Sequence, residues 1–113
     1  MLSRRCHKSF QESHGCFSEV LRSDQFELLG LPTELLQDNH SGSAEGVVRG
    51  LHYQWEAPMG KLMQVTRGCA FLVAVDIRNG PPTRGKWVGI EASAENRRSV
   101  WAPRRFFPRF CAL

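Results

Sequence analysis

The sequence predicts an all-β sandwich or barrel, and three observations carry that prediction. From Val47 onward, short runs rich in β-branched and aromatic residues alternate in polarity, as half-buried strands do. Turn signals built from Gly, Pro and Asn separate these runs at short intervals. Helical periodicity is confined to one weak stretch near the N-terminus. The 113 residues, 42% hydrophobic and 10% aromatic, suffice for a single domain with a modest core. That composition excludes a disordered tail, a collagen-like repeat and a coiled coil. No apolar run approaches the ~18–20 residues that cross a bilayer, so no membrane association is expected.

The first third reads as loop and short elements. In FSEVLRSDQFELLGLP, Phe17, Val20 and Leu21 and then Phe26, Leu28 and Leu29 give a weak helical period, which Gly30 and Pro32 end. QDNHSGSAEG (37–46) is polar and rich in Ser and Gly, a loop. VVRGLHYQW (47–55) alternates as a strand: Val48, Gly50, His52 and Gln54 point one way, and Val47, Arg49, Leu51, Tyr53 and Trp55 the other. EAPMG is a turn. KLMQVTRG alternates again. CAFLVAVDIR is the clearest strand, with Phe71, Val73, Val75 and Ile77 on one face and Asp76 on the less apolar one. NGPPTRG (79–85) is a breaker-rich connection, and KWVGIEAS and RSVWAP read as further strands.

The formal net charge of +4 resides entirely in residues 94–113, where Arg97, Arg98, Arg104, Arg105 and Arg109 face only Glu95. A nucleic-acid footprint interleaves cations with aromatics on a defined element, so no nucleic-acid partner is expected from this terminal concentration. Cys6, Cys16, Cys69 and Cys111 have spacings that fit neither a C-x-x-C redox motif nor a zinc knuckle. Free thiols in the cytoplasm are the expectation. The charged N-terminus is not followed by the apolar stretch of a signal peptide.

His52 is the sharpest candidate for chemistry, because an imidazole titrates near neutrality and accepts a proton from a carbon acid or hydroxyl. Its local context alone favours a core histidine bonded to a backbone carbonyl. A metal centre is not expected: Tyr53 and Gln54 follow His52 where an H-x-H pair would stand, and His7, His14 and His40 all lie upstream. Gln37, Asp38 and Asn39 offer amide and carboxylate groups to a sugar or base edge, or else cap their own turn. Arg49 and Lys61 suit an anion, or are scattered surface cations. Asp76 is either an acid near a cavity or an edge residue paired with Arg78. Neither a glycine-rich phosphate loop nor a G-x-S-x-G nucleophile elbow occurs.

Together the pieces QDN, RGLHYQ, GKL, VDIR and ENRRSVWAP, in unbroken order over roughly residues 10–103, resemble the dTDP-4-dehydrorhamnose 3,5-epimerase family. The resemblance implies a cupin-type jelly roll and a metal-free, cofactor-free isomerase of deoxysugar (dTDP-rhamnose) biosynthesis. In that reaction a 4-keto group acidifies C3–H and C5–H of a dTDP-4-keto-6-deoxy sugar. A base removes each proton and a proton returns to the opposite face. By the resemblance, His52 is the base, and Arg49 and Lys61 hold substrate with charge available to an enolate or phosphate oxygen. Gln37 and Asn39 match the QDN binding positions, and Glu19 in GCFSE matches the glutamate of an R-G-x-F-x-E motif. The resemblance also implies a homodimer.

The sequence departs from the family pattern in places. His14 stands where the motif has arginine. In the stretch after WAP, where the family reads x-G-F-A-[HR]-G-F, Arg105 and Arg109 replace the two glycines, and Pro108 occupies a binding His/Arg position. The strand that precedes Phe10 in the family reads as absent or replaced. The family's tyrosine acid and the aspartate that orients its histidine have no counterpart up to Leu113. The sequence reading is therefore a single partial domain over 1–113, an incomplete jelly roll lacking closing strands, with 104–113 a divergent tail and turnover impaired. The alternative is a catalytically inactive cupin fragment that retains a sugar-nucleotide pocket or a dimer surface. Which sugar is used, and whether C3, C5 or both epimerise, stays open at this point.

Overall fold

The computed structural model describes residues 3–6, 9–50, 55–80 and 82–113, with the backbone alone for 3–6 and 9. The described residues form strands β1 (Ser3–Cys6), β2 (Ser9–Glu12) and β3 (Gly15–Ser18), helix α1 (Ser23–Leu28), and strands β4 (Val48–Arg49), β5 (Lys61–Gln64), β6 (Cys69–Asp76), β7 (Trp87–Ser93), β8 (Arg98–Ala102) and β9 (Phe106–Ala112). Two antiparallel sheets, ordered β1-β8-β5 and β4-β9-β6-β7, are accompanied by a separate β2-β3 hairpin. This is the all-β jelly-roll architecture that the strand pattern and the family resemblance imply.

Register identifies the inner faces. Leu72 lies opposite Phe110 on β9 and Ile90 on β7, and Ala70 lies opposite Ala112 and Ala92, so these side chains share one face. Ala70, Leu72, Ile90 and Ala92 form the core with Val100 of β8, and Met63 of β5 packs against it. The core therefore sits between the two sheets. The face of β6 that holds its largest side chains is not the buried one. Phe71, Val73 and Val75 are half-buried on the outer face, whereas Ala70, Leu72, Ala74 and Asp76 are buried inside. Small alanines allow close packing there, and an apolar residue on both faces removes the contrast from which period 2 picks the inside.

Three local expectations change. A strand does precede Phe10: β1 pairs antiparallel with β8, Ser3 opposite Trp101 and Cys6 opposite Arg98. Residues set apart as a divergent tail build β9, which is hydrogen-bonded to β6 on one side and β4 on the other. Within 47–55, strand pairing among the described residues is confined to Val48 and Arg49; residues 51–54, His52 included, lie outside the described residues. The weak helical period resolves into α1, which buries Phe26. Gly30, at φ 68°, ends it as the sequence indicates, and the Leu31 N–H closes back on the Phe26 carbonyl at 2.8 Å.

The β7–β8 connection, closed by the Arg97 N–H on the Ser93 carbonyl at 3.0 Å, is tied further by the Asn96 side chain. Asn96 Oδ1 accepts from the backbone N–H of Ser93 (2.9 Å) and Arg98 (3.0 Å), and Asn96 Nδ2 donates to the Glu91 carbonyl (3.1 Å). The Ser93 hydroxyl in turn accepts from the Asn96 N–H at 3.0 Å. This tight turn fixes the path of β8, the strand against which β5 and Lys61 are registered.

Candidate active site

The two cations singled out from sequence stand on the two inner faces. Arg49 lies opposite Phe110, the inward neighbour of Leu72. Lys61 opens β5 opposite Ala102, on the same face as Met63 and Val100. From Ala102 the chain turns through 103–105 into Phe106, which lies opposite Asp76. Lys61, the 103–105 turn and the loop after β6 thus mark one end of the sandwich. Open ends of β-barrels are where such folds bind small molecules.

The Arg49 guanidinium is held by the preceding loop: Nε donates to Ser43 Oγ at 2.8 Å and Nη2 to the Gly42 carbonyl at 2.9 Å. These partners are neutral, so they orient the fork without cancelling its charge, and most of its N–H donors stay available. Neither Arg49 nor Lys61 is paired with a carboxylate among the described residues. Both are exposed, so an anion reaches them without first breaking an ion pair.

The loop triplet is also presented outward. Gln37 Nε2 donates to Asn39 Oδ1 at 3.3 Å, and both side chains are exposed. Neither Asp38 nor Asn39 bonds to nearby backbone through its side chain, so the turn-capping alternative is not what is observed. Glu19 follows β3 and is partly buried, with Oε1 3.8 Å from Arg22 Nη1. Arg22 is held more closely by Asp24, at 2.8 Å. His14 occupies the β2–β3 turn with Nδ1 2.7 Å from Ser13 Oγ. On the hairpin, Phe10 and Phe17 face each other as an exposed aromatic pair. The structure does not bring Glu19, Gln37, Asn39, Arg49 and Lys61 into mutual contact through any hydrogen bond other than the Gln37–Asn39 one.

Asp76 resolves to the structural alternative. Its carboxylate accepts from Arg78 Nη2 (2.6 Å), Arg78 Nε (3.0 and 3.2 Å), the Arg78 N–H (3.0 Å) and the Thr83 hydroxyl (2.7 Å). The Arg78 side chain bonded to it, helped by that N–H and hydroxyl, holds the Asp76 carboxyl well below the usual carboxylate range. Arg78 also stacks over the Phe106 ring, 5.1 Å from its centroid. An acid so satisfied is no proton donor near neutrality; it clamps the loop after β6 onto the sheet. Thr83 was not singled out from sequence. Its only signal was a hydroxyl residue within the breaker-rich NGPPTRG. Among the described residues no cluster of three or more His, Cys, Asp or Glu side chains is placed to hold a metal ion.

Comparison with known proteins gives this arrangement its context. The family model described as dTDP-4-dehydrorhamnose 3,5-epimerase matches residues 5–113. The dTDP-4-dehydrorhamnose 3,5-epimerase of Shigella flexneri is 49% identical over 108 residues, covering 94% of this chain and 60% of that protein. The Pseudomonas aeruginosa enzyme of the same name is 49% identical over 105 residues, covering 92% and 58%. The crystal structure of the Legionella pneumophila dTDP-6-deoxy-D-glucose-3,5-epimerase in complex with dTDP-4-keto-L-rhamnose superposes with a TM-score of 0.94 at 44% identity, covering 99% of this chain and 60% of that one. The chain thus spans about 60% of the length of these relatives. A match that runs through all but the first four residues, with a shared strand framework, shows that the chain belongs to the dTDP-4-dehydrorhamnose 3,5-epimerase family.

Proposed function

We propose that this chain acts in the 3,5-epimerisation of a dTDP-4-keto-6-deoxy sugar, as an isomerase of dTDP-rhamnose biosynthesis. The observation that carries the reading is family membership over residues 5–113 together with two cations, free of carboxylate partners among the described residues, on the facing inner surfaces. The substrate's C4 carbonyl makes the protons at C3 and C5 acidic. His52, three residues beyond Arg49 in R-G-L-H, takes a proton, and the electron pair moves into an enolate on O4. Lys61 or Arg49 then meets the developing oxyanion, where a fixed positive charge has its largest effect. Return of a proton to the opposite face completes each inversion. No electron leaves the substrate, so the proposal calls for no redox cofactor.

Gln37, Asn39 and Glu19 are the proposed substrate-binding groups, with donors and acceptors that suit a sugar hydroxyl or a base edge. A single partial domain over 1–113, a homodimer and a cytoplasmic setting belong to the same reading. The exposed Phe10–Phe17 pair supports the dimer, as apolar surface that a second copy would cover. The test is incubation with dTDP-4-keto-6-deoxyglucose in deuterated water. Deuterium at C3 or C5 is expected; dTDP binding with no deuterium uptake would instead favour an inactive cupin that retains its pocket.

A further inference from the structure

The loop after β6 and the turn after β8 carry charge that the mechanism above does not use. Both are fastened to the same end of β6. The Asp76 N–H donates to the Lys86 carbonyl at 2.9 Å, and the Gly85 N–H donates to the Asp76 carbonyl at 2.7 Å. On the other side of β6, the Ile77 N–H donates to the Arg105 carbonyl at 3.2 Å, and Phe106 lies opposite Asp76. Two strand spacings therefore separate the Lys86 backbone from that of Arg105, about 10 Å. Arg84, Lys86, Arg104 and Arg105 are all exposed, and none is ion-paired among the described residues. The nearby carboxylate, Asp76, is already taken by Arg78. Four cations without counter-charges among the described residues thus gather at the end of the sandwich where Lys61 begins β5.

We propose that Arg84, Lys86, Arg104 and Arg105 form an approach surface that captures the diphosphate of the nucleotide-sugar substrate; the identity of that substrate rests on the epimerase reading above. Arginine forks match phosphate oxygens in pairs, and lysine adds a mobile point charge. Because the four side chains are solvent-exposed, they act chiefly on encounter, by raising the local concentration of the anion at the open end. Their effect must then be screened by salt. Arg105, which the sequence pattern marks only as a departure from the family, gains a role with its neighbour Arg104 from where the fold puts them.

The test is association of inorganic pyrophosphate and of dTDP with the full chain, measured against ionic strength. The comparison is with a variant carrying Arg84→Gln, Lys86→Gln, Arg104→Gln and Arg105→Gly. Glycine at 105 preserves the positive φ there, and a melting curve verifies folding. At low salt the variant is expected to associate roughly tenfold more slowly than the parent. At about 0.5 M salt, where screening reaches within a few ångströms, the two are expected to converge. Arg104→Gln alone carries the same test should the multiple variant fold poorly, with about a twofold effect. No pyrophosphate association by the parent, equal rates at low salt, or a difference that persists at high salt would each overturn the proposal. Pyrophosphate has no sugar carbon, so the two readings separate. Charge-dependent association without deuterium uptake removes the epimerase reading and keeps the surface; uptake without charge dependence removes the surface alone.

Discussion

A carboxylate that is 3% exposed, as Asp76 is, survives burial only by exchanging its water for donors, and Arg78 and Thr83 supply them. Removing the charge is expected to lower the melting temperature: Asp76→Asn by roughly 5–10 °C at pH 7, read by thermal denaturation. The pH dependence follows from the direction of the shift. A carboxyl held below its unfolded-state value of about 3.9 contributes fully above that pH, and its contribution is lost as pH falls through the lower folded-state value. The gap between the two proteins is therefore expected to close in acid below about pH 3; a gap that is constant with pH would deny the clamp. The sequence left Asp76 open between two roles because the deciding partner, Thr83, sits seven residues on, across a loop whose path local pattern does not specify. Arg105 poses a simpler question. Of the two positions where arginine replaces a family glycine, Arg105 has a left-handed backbone, at φ 68°, and Arg109 does not. Such a conformation costs a residue with a Cβ about 1 kcal/mol, so Arg105→Gly is expected to raise stability by about 0.5–1 kcal/mol in urea denaturation. A loss of stability would place the strain elsewhere.

Strands whose residues alternate against a core were legible, and strands formed by backbone pairing alone were not. β6, β7 and β8 fall within the runs that composition marks as strands. β1 and β2, SRRC and SFQE, carry little apolar patterning; β1 exists because β8 offers it an edge, and β2 because a two-residue turn returns it to β3. β9 was obscured for a different reason: its apolar residues are interrupted by Pro108 and Arg109, yet β4 and β6 pair with it on both sides. Pairing partners far away in sequence overrode local composition. The ENRR stretch was visible as a family signature, but its physical role emerges only in the turn that Asn96 ties together. Asn96→Ala removes one acceptor and one donor that serve three backbone groups, and is expected to cost about 2 kcal/mol of stability. An effect under about 0.5 kcal/mol in a denaturant titration would show the turn to be formed by the backbone alone.

For the molecule as a whole, the candidate site was legible as residue types but not as an arrangement. Period 2 puts Arg49 and His52 on opposite faces of a regular strand without saying which face is inward; the register places Arg49 on the inward one, and His52 lies outside the described residues. The shared end of the sandwich, where Lys61, the 103–105 turn and the Asp76 clamp meet, depends on how β8 returns as β9, which no single motif encodes. Two inner faces around an apolar core each present a cation that has no carboxylate partner among the described residues, which is the arrangement the proposed anionic substrate calls for. The proposed function rests on His52 moving protons at carbon. It is tested most directly by following solvent deuterium into C3 and C5 of dTDP-4-keto-6-deoxyglucose by mass spectrometry, with the parent chain and His52→Ala side by side. Uptake by the parent and a loss of about 10²-fold or more in the variant are expected. Equal uptake by the two proteins, or none by the parent, would contradict the account.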